Sequence, residues 1–99
     1  MNTVVIQKSH KKDKKYDAVI NGSKTVPFGQ AGYSDFTIHK DEERKLRYLN
    51  RHKGMGEHWN DPETAGFYAR WLLWNKTSLA KSIEDMNIRF KNYHFFLRL

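Results

Sequence analysis

Cysteine is absent from this 99-residue chain, which excludes disulfides, thiolate metal sites and cysteine nucleophiles. Long hydrophobic runs are missing as well, since no apolar run approaches the roughly 18 residues of a membrane span. Residues 1–10 also lack the apolar core of a secretory signal peptide. We therefore expect a chain that works or is assembled inside a cell, without a membrane partner.

Acidic residues are outnumbered by basic ones. Lys and Arg number 18 against 11 Asp and Glu, which leaves a net charge of +7. A balance of this kind predicts a polyanionic partner or the acidic face of another protein. Aromatic residues make up 14% of the chain, which argues against disorder. The length fits one domain, residues 1–99.

The first half of the sequence predicts β-structure. Residues 3–7 form a β-favouring run, and five lysines follow within residues 8–15. We interpret residues 1–15 as a basic N-terminal strand and arm. The lysine run is either a solvated segment or an arm that lies on phosphate or on an acidic neighbour.

A hairpin is predicted over residues 16–28, because Asn21-Gly22 separates two β-favouring runs and Asn-Gly favours the positive φ angles of a two-residue turn. Pro27 ends the second strand of this hairpin or places it at a sheet edge. Residues 40–90 predict three helices, over about 40–53, from 61 or 62 to 75, and from 77 or 78 to 90.

The expected fold class is α+β: a small antiparallel sheet built on the Asn-Gly hairpin, packed against three α-helices. The apolar tail, residues 91–99, is a final strand, a packed extension, or a segment that docks on a partner. The predicted core contains the following residues: Val19 or Ile20, Leu46, Leu49, Phe67, Trp71, Leu72, Trp74, Leu79, Ile83 and Met86.

The first predicted helix carries a stripe of cations. At 100° per residue, Lys40, Arg44, Arg47 and Arg51 fall within roughly 60° of one another, with the leucines on the far side. Arginine suits bidentate capture of phosphate or carboxylate. The alternative is a solvated face in which Glu43 pairs with Arg47.

The second predicted helix carries Phe67, Trp71 and Trp74 at helical spacing. Such rings can stack on nucleobases when they line a basic surface, but their leucine neighbours favour the core. The histidines show no known metal-ligand spacing, and the sequence has no phosphate-binding loop or catalytic triad signature. We therefore expect no enzyme activity, no metal and no cofactor.

The candidate anion- or partner-binding residues are Lys40, Arg44, Arg47, Arg51, Lys11, Lys12, Lys14 and Lys15. The residues of the tail that we predict to dock on a partner are Tyr93, Phe95, Phe96, Leu97 and Leu99.

Several segments together resemble a known family. They are residues 28–29, 32–41 (Gly-Tyr-Ser-Asp-Phe-Thr-Ile-His-Lys-Asp), 44–45, 47–48, 51–52, 59–62 (Trp-Asn-Asp-Pro), 64–67 and 70–75 (Arg-Trp-Leu-Leu-Trp-Asn). The chain is similar, over residues 14–90, to a family of small uncharacterised basic proteins encoded by large double-stranded DNA viruses of eukaryotes. This resemblance implies a viral origin and assigns no catalytic residue.

Two functions are consistent with these observations. The first is a virion structural protein, a minor capsid or cement-type subunit that contacts capsid proteins or other virion proteins. Such a subunit resides in the virion, and in the host cytoplasm or nucleus during assembly. The second is a non-enzymatic protein that binds the phosphates of DNA or RNA through its Lys/Arg surface.

Overall fold

The computed structural model describes residues 1–56 and 58–99 and contains a four-stranded sheet with helices on one side. The strands are β1 (Asn2–Lys8), β2 (Lys14–Ile20), β3 (Lys24–Gln30) and β4 (Tyr93–Arg98). The helices are α1 (Phe36–His39), α2 (Glu42–Lys53), α3 (Ala65–Tyr68) and α4 (Leu79–Arg89), and α3 continues into a π-helical segment, Ala69–Leu73. The predicted α+β class is confirmed.

The sheet is mixed and open, with the strand order β3-β2-β1-β4. β1 pairs antiparallel with β2, and β2 pairs antiparallel with β3. The chain then returns after the helices and adds β4 parallel to β1, with Val4 opposite Phe95. The prediction of a purely antiparallel sheet is therefore wrong at this edge, where the tail joins the sheet.

The lysine run is not an N-terminal arm. Lys8 ends β1, Lys14 and Lys15 begin β2, and the residues between them form the connection of a β1–β2 hairpin. The amide of Ser9 donates to the carbonyl oxygen of Lys15 at 3.2 Å, which closes this connection. The lysines are therefore presented on a tight loop, where backbone pairing limits how far they can spread.

β2 and β3 are joined by residues 21–23, one residue more than the two-residue turn that we predicted. Asn21 and Gly22 have φ angles of 52° and 69°, in the left-handed region that Asn and Gly tolerate best. The Asn21 side chain also accepts a hydrogen bond from the amide of Thr3 at 2.9 Å, which ties the turn to β1. Pro27 lies within β3 at the sheet edge, where a missing N–H is tolerated.

One face of the sheet packs against α3, the π-helical segment and α4. The fully buried side chains that meet there are Val4, Ile6, Ala18, Phe28, Phe67, Tyr68, Leu72, Met86 and Phe95. Ile20 belongs to this core, whereas Val19 is only half-buried. Trp71, Trp74, Leu79 and Ile83 are partly buried and pack around it.

The core prediction is wrong for α2. Leu46 is 57% exposed and Leu49 is half-buried, whereas Tyr48 is 7% exposed. The Tyr48 ring stacks on Trp74, with centroids 4.2 Å apart and planes 3° from parallel. A large ring gains more from burial than a leucine does, and this contact sets which face of α2 is turned inward.

The helix boundaries also differ from the predicted three helices. Asp35 caps α1, an additional short helix, by accepting from the amide of Thr37. Thr64, rather than Asp61, caps α3. α1 ends at Lys40, which has a left-handed backbone (φ 55°), and Asp41 then caps α2. The helix predicted over about 40–53 therefore begins at Glu42 instead of near residue 40.

The free edge of β4 is closed by a side chain. Asn87 of α4 accepts from the amide of Phe95 through Oδ1 at 2.8 Å and donates from Nδ2 to its carbonyl oxygen at 3.1 Å. The Asn87 amide thus pairs with the strand as a neighbouring peptide group would. This contact satisfies two backbone groups that would otherwise be left without partners at the edge.

We expect Asn87→Ala to lower the free energy of unfolding by about 2 kcal/mol or more, because it leaves the amide and the carbonyl group of buried Phe95 without these hydrogen bonds. Urea unfolding measures the change. Asn50→Ala, at an exposed position of α2, is the matched control and should stay within about 0.5 kcal/mol. Equal stability of the two variants would contradict this role of Asn87.

Candidate anion-binding groove

Three adjoining cavities meet at Lys14 and form one basic groove. The outer section, about 710 Å³, lies along the β1–β2 hairpin. The middle section, about 410 Å³, includes Tyr33 and Arg51. The inner section, about 370 Å³, reaches His58 and Ala65. Lys14 lines all three sections, which therefore adjoin one another between the hairpin loop, α2 and α3.

The outer section gathers the lysines of the hairpin. It is lined by Lys8, Lys11, Lys12, Lys14 and Lys15 together with His10. Asp35 is the sole carboxylate side chain among the lining residues of the groove within residues 1–56 and 58–99. Cations concentrated in a concave surface attract anions more strongly than the same charges on a convex one.

Lys15 is the exception among these lysines. Its ammonium donates to Oδ2 of Asp35 at 2.6 Å, and the two side chains are 14% and 3% exposed. The charge of Lys15 is therefore already compensated inside the protein. This ion pair attaches the loop before α1 to the sheet, and binding of an external anion by Lys15 stays a prediction.

A buried carboxylate holds the hairpin loop in shape. Asp17 is 1% exposed and accepts from Ser9 Oγ at 2.7 Å and from the His10 amide at 3.1 Å. His10 Nδ1 lies 2.5 Å from Asp17 Oδ2. Burial alone would raise the pKa of Asp17, but these hydrogen bonds outweigh it and hold the pKa below its ordinary value. The ionised Asp17 thus anchors the loop that carries the lysines.

The middle section joins elements that are distant in sequence. Arg51 reaches it from α2, and Tyr33 reaches it from the loop between β3 and α1. The two groups of cations that we predicted separately, the lysine run and the helical stripe, therefore meet at Lys14 and Arg51. Chain topology produces this meeting, because β2 and α2 have no local relationship in the sequence.

Small residues keep the inner section open. Ala65, Gly66 and Ala69 line it, and Ala69 begins the π-helical segment. Gly29 has a φ of 76°, and a Cβ built there would lie 2.9 Å from Leu73 Cδ1. A side chain at position 29 would therefore clash and be strained. π-helical segments are rare and occur frequently at functional sites.

An aromatic column forms the wall of the groove on the side of α2. Tyr48 stacks on Trp74 at 4.2 Å and on His52 at 4.1 Å. Both faces of the Tyr48 ring are therefore occupied within the protein. The column packs α2, which carries Arg51, against Trp74 at the end of the π-helical segment.

The rest of the predicted stripe lies outside the groove. Lys40 precedes α2 and donates from Nζ to the Thr37 carbonyl oxygen at 3.0 Å. Arg44 and Arg47 are exposed on α2 but line none of the three sections. Arg47 lies 4.0 Å from Glu43, and both side chains are exposed, as in the solvated alternative.

The tail is β4 and belongs to the sheet of its own chain. Phe95 is buried in the core, and Tyr93 and Leu97 pack against it. Phe96 and Leu99 are 41% and 68% exposed, so they alone of the predicted docking residues face solvent to a large extent. Partner docking by the tail stays a prediction for these two side chains.

In the part of the chain that the structure describes, no group of three or more His, Asp or Glu side chains converges as a metal site. No helix within residues 1–56 and 58–99 is long and apolar enough to cross a bilayer.

Sequence reasoning missed Tyr33 and His10 as residues that line the groove, and it missed Asp17 as the carboxylate that holds the lysine loop. The available signal was an aromatic residue in a Gly- and Ser-containing loop, residues 32–34, followed by Asp35. Binding residues are often found on loops that a rigid scaffold positions.

Comparison with known proteins adds one match. A family model described as "Family of unknown function (DUF5754)" matches residues 4–52. The matched stretch runs from β1 into α2 and includes the hairpin lysines, Tyr33 and Arg51. No curated protein and no solved structure matches the chain.

We expect Asp17→Asn to lower the free energy of unfolding at pH 7 by about 2 kcal/mol, as for hydrogen bonds to a charged group. The folded pKa of Asp17 is below 3.8, so its contribution is complete above that pH and is lost as the pH falls through the folded value. The difference between wild type and variant should therefore stay constant from pH 7 down to about pH 5 and shrink as the pH falls further.

Urea unfolding at several pH values measures this effect. Asp13→Asn, at an exposed position of the same loop, is the matched control and should leave the pH profile unchanged. A constant difference between wild type and Asp17→Asn across the pH range would show that the ionised carboxylate does not anchor the loop.

Proposed function

We propose that this protein is a non-enzymatic nucleic-acid-binding protein that holds phosphates along the basic groove. The observation that carries the proposal is that Lys14 lines all three cavities, which places the hairpin lysines and Arg51 around neighbouring cavities. A concave track of cations suits a narrow, flexible polyanion, whereas a flat acidic face would reach only its rim.

The electrostatics favour phosphate. Lys8, Lys11 and Lys12 are exposed, and none has a carboxylate partner among the ion pairs of the described residues. Lysines without internal partners can neutralise the phosphates of a nucleic acid, and the release of the cations condensed on that nucleic acid is entropically favourable. The resemblance to viral proteins supports a place for this activity in the virion, or in the host cytoplasm or nucleus during assembly.

The salt dependence of binding tests the proposal. Replacing Lys8, Lys11 and Lys12 together by Ala should flatten the log–log slope of affinity against salt by about two units on single strands and nearly three on duplex DNA. All three side chains are exposed, so the fold should tolerate the change. Fluorescence anisotropy at several salt concentrations measures the slope.

The matched control replaces Lys53, Lys81 and Lys91, three exposed lysines outside the groove. Both triple variants have the same net charge, +7 − 3 = +4. If binding depended on overall charge alone, the two variants would show the same slope. That result, or absence of binding by the wild type at low salt, would overturn the proposed function.

The second candidate is a virion structural protein, a minor capsid or cement-type subunit that contacts capsid proteins or other virion proteins. The observation in its favour is the open face of the sheet. Phe96 alternates with buried Phe95 and therefore lies on the face opposite the helices, where it is 41% exposed. With Val5, Leu97 and Arg98 it surrounds a surface hollow of about 330 Å³.

Phe96→Ser distinguishes this candidate from nucleic-acid binding. If the open face contacts a capsid protein, the variant should lose co-purification with virus particles and keep its nucleic-acid affinity. Ile88→Ser, at a 61% exposed position of α4, is the matched control for exposed apolar surface. Undiminished incorporation of Phe96→Ser would remove this face as the interface. Deleting residues 93–99 is uninformative, because it would remove β4 and Phe95 from the core.

A further inference from the structure

Tyr33 is a large aromatic side chain at the surface of a strongly basic groove. It is 65% exposed and lines the middle section together with Lys14 and Arg51. An exposed ring between cations is typical of surfaces on which the bases of nucleic acids stack.

The loop that carries Tyr33 is held in place by the structure. The Tyr33 amide donates to the carbonyl oxygen of Gln30 at 3.2 Å, and Gly32 provides the positive φ of 86°. Two residues further on, Asp35 is 2% exposed and bound to Lys15 at 2.6 Å. Both ends of the short segment are therefore attached to the sheet, which limits the conformational entropy that Tyr33 loses on binding.

Two other rings that line the groove, Tyr48 and Phe28, cannot serve in this way. Tyr48 is covered on its two faces by Trp74 and His52. Phe28 is 1% exposed and packs on Tyr16 and Tyr68. Tyr33 is thus the lining residue whose aromatic face is most open to a ligand.

We infer that the groove selects single-stranded nucleic acid, with a base stacked on Tyr33 and the neighbouring phosphates on Lys14 and Arg51. This inference rests on the proposed function and specifies its substrate. In a duplex the bases are stacked on one another and paired, so none is available to a side chain in a groove. A single strand can unstack one base and lay its backbone along the lysines.

The experiment measures the affinity of the full chain for a short oligo(dT), an oligo(rU) of equal length and a mixed-sequence DNA duplex of equal length. The wild type should bind both single strands more tightly than the duplex at the same salt concentration. Tyr33→Ala should weaken single-strand binding about tenfold, the effect of losing one stacked base. Its affinity for the duplex should not change.

Tyr33→Phe keeps the aromatic ring and removes only the hydroxyl group, so it should retain the single-strand affinity. This variant therefore distinguishes stacking by the ring from any contribution of the hydroxyl. Ile88→Ala, at an exposed apolar position outside the groove, should leave all three affinities unchanged. Because stacking uses the face of the base, Tyr33→Ala should affect oligo(dT) and oligo(rU) alike.

The possible failures are distinguishable. A wild type that binds none of the three ligands at low salt would overturn the proposed function itself. Binding to all three ligands that Tyr33→Ala leaves unchanged would overturn the inference about Tyr33 and leave the basic groove in place. Equal weakening of duplex and single strands by Tyr33→Ala would also overturn it, because such a loss does not depend on an unstacked base.

Discussion

The ion pair between Lys15 and Asp35 connects the two halves of this fold. Lys15 belongs to β2, and Asp35 caps α1, so this pair joins the sheet to the α1–α2 unit. Asp35 is almost fully buried and also accepts from the amide and the hydroxyl of Thr37. A buried carboxylate is costly unless it is fully paired, and here every contact comes from a segment that borders the groove. This pair holds the segment before α1, and Tyr33 lies two residues before Asp35.

The lysine side chains that line the groove repel one another, and a buried carboxylate offsets part of this repulsion. The lysine loop is folded around a buried carboxylate, Asp17, which bonds to Ser9 and His10. The hydrogen bonds fix the backbone while the lysine side chains stay in solvent. The charge that anchors the loop is thus inside the protein, and the charges available to a partner are outside. Within this loop, Ser9 and His10 stabilise the fold through Asp17, whereas Lys8, Lys11 and Lys12 are exposed to a partner.

The sheet is protected on both edges and open on one face. Pro27 lies in edge strand β3, and the Asn87 side chain occupies backbone groups of edge strand β4. Both features hinder a further strand from pairing there. On the face opposite the helices, the exposed Phe96 packs against the exposed His94 with ring centroids 4.0 Å apart. A protein partner would therefore meet side chains of the sheet rather than its backbone.

The α+β class, the start of the last helix at residue 77 or 78 and the surplus of basic residues could be predicted from the sequence, because propensity, capping and charge act over a few neighbouring residues. Leu46 and Tyr48 show the limit of prediction from local pattern, because the pattern predicted the wrong buried face of α2. Helical periodicity identifies candidate faces, but Trp74, which lies far along the chain, determines that Tyr48 is the one buried. The same holds for Lys15, whose partner Asp35 lies twenty residues away, and for the parallel pairing of β4 with β1. Contacts between distant residues form only when the chain closes on itself, and they separate the lysines that support the fold from those that remain free to bind.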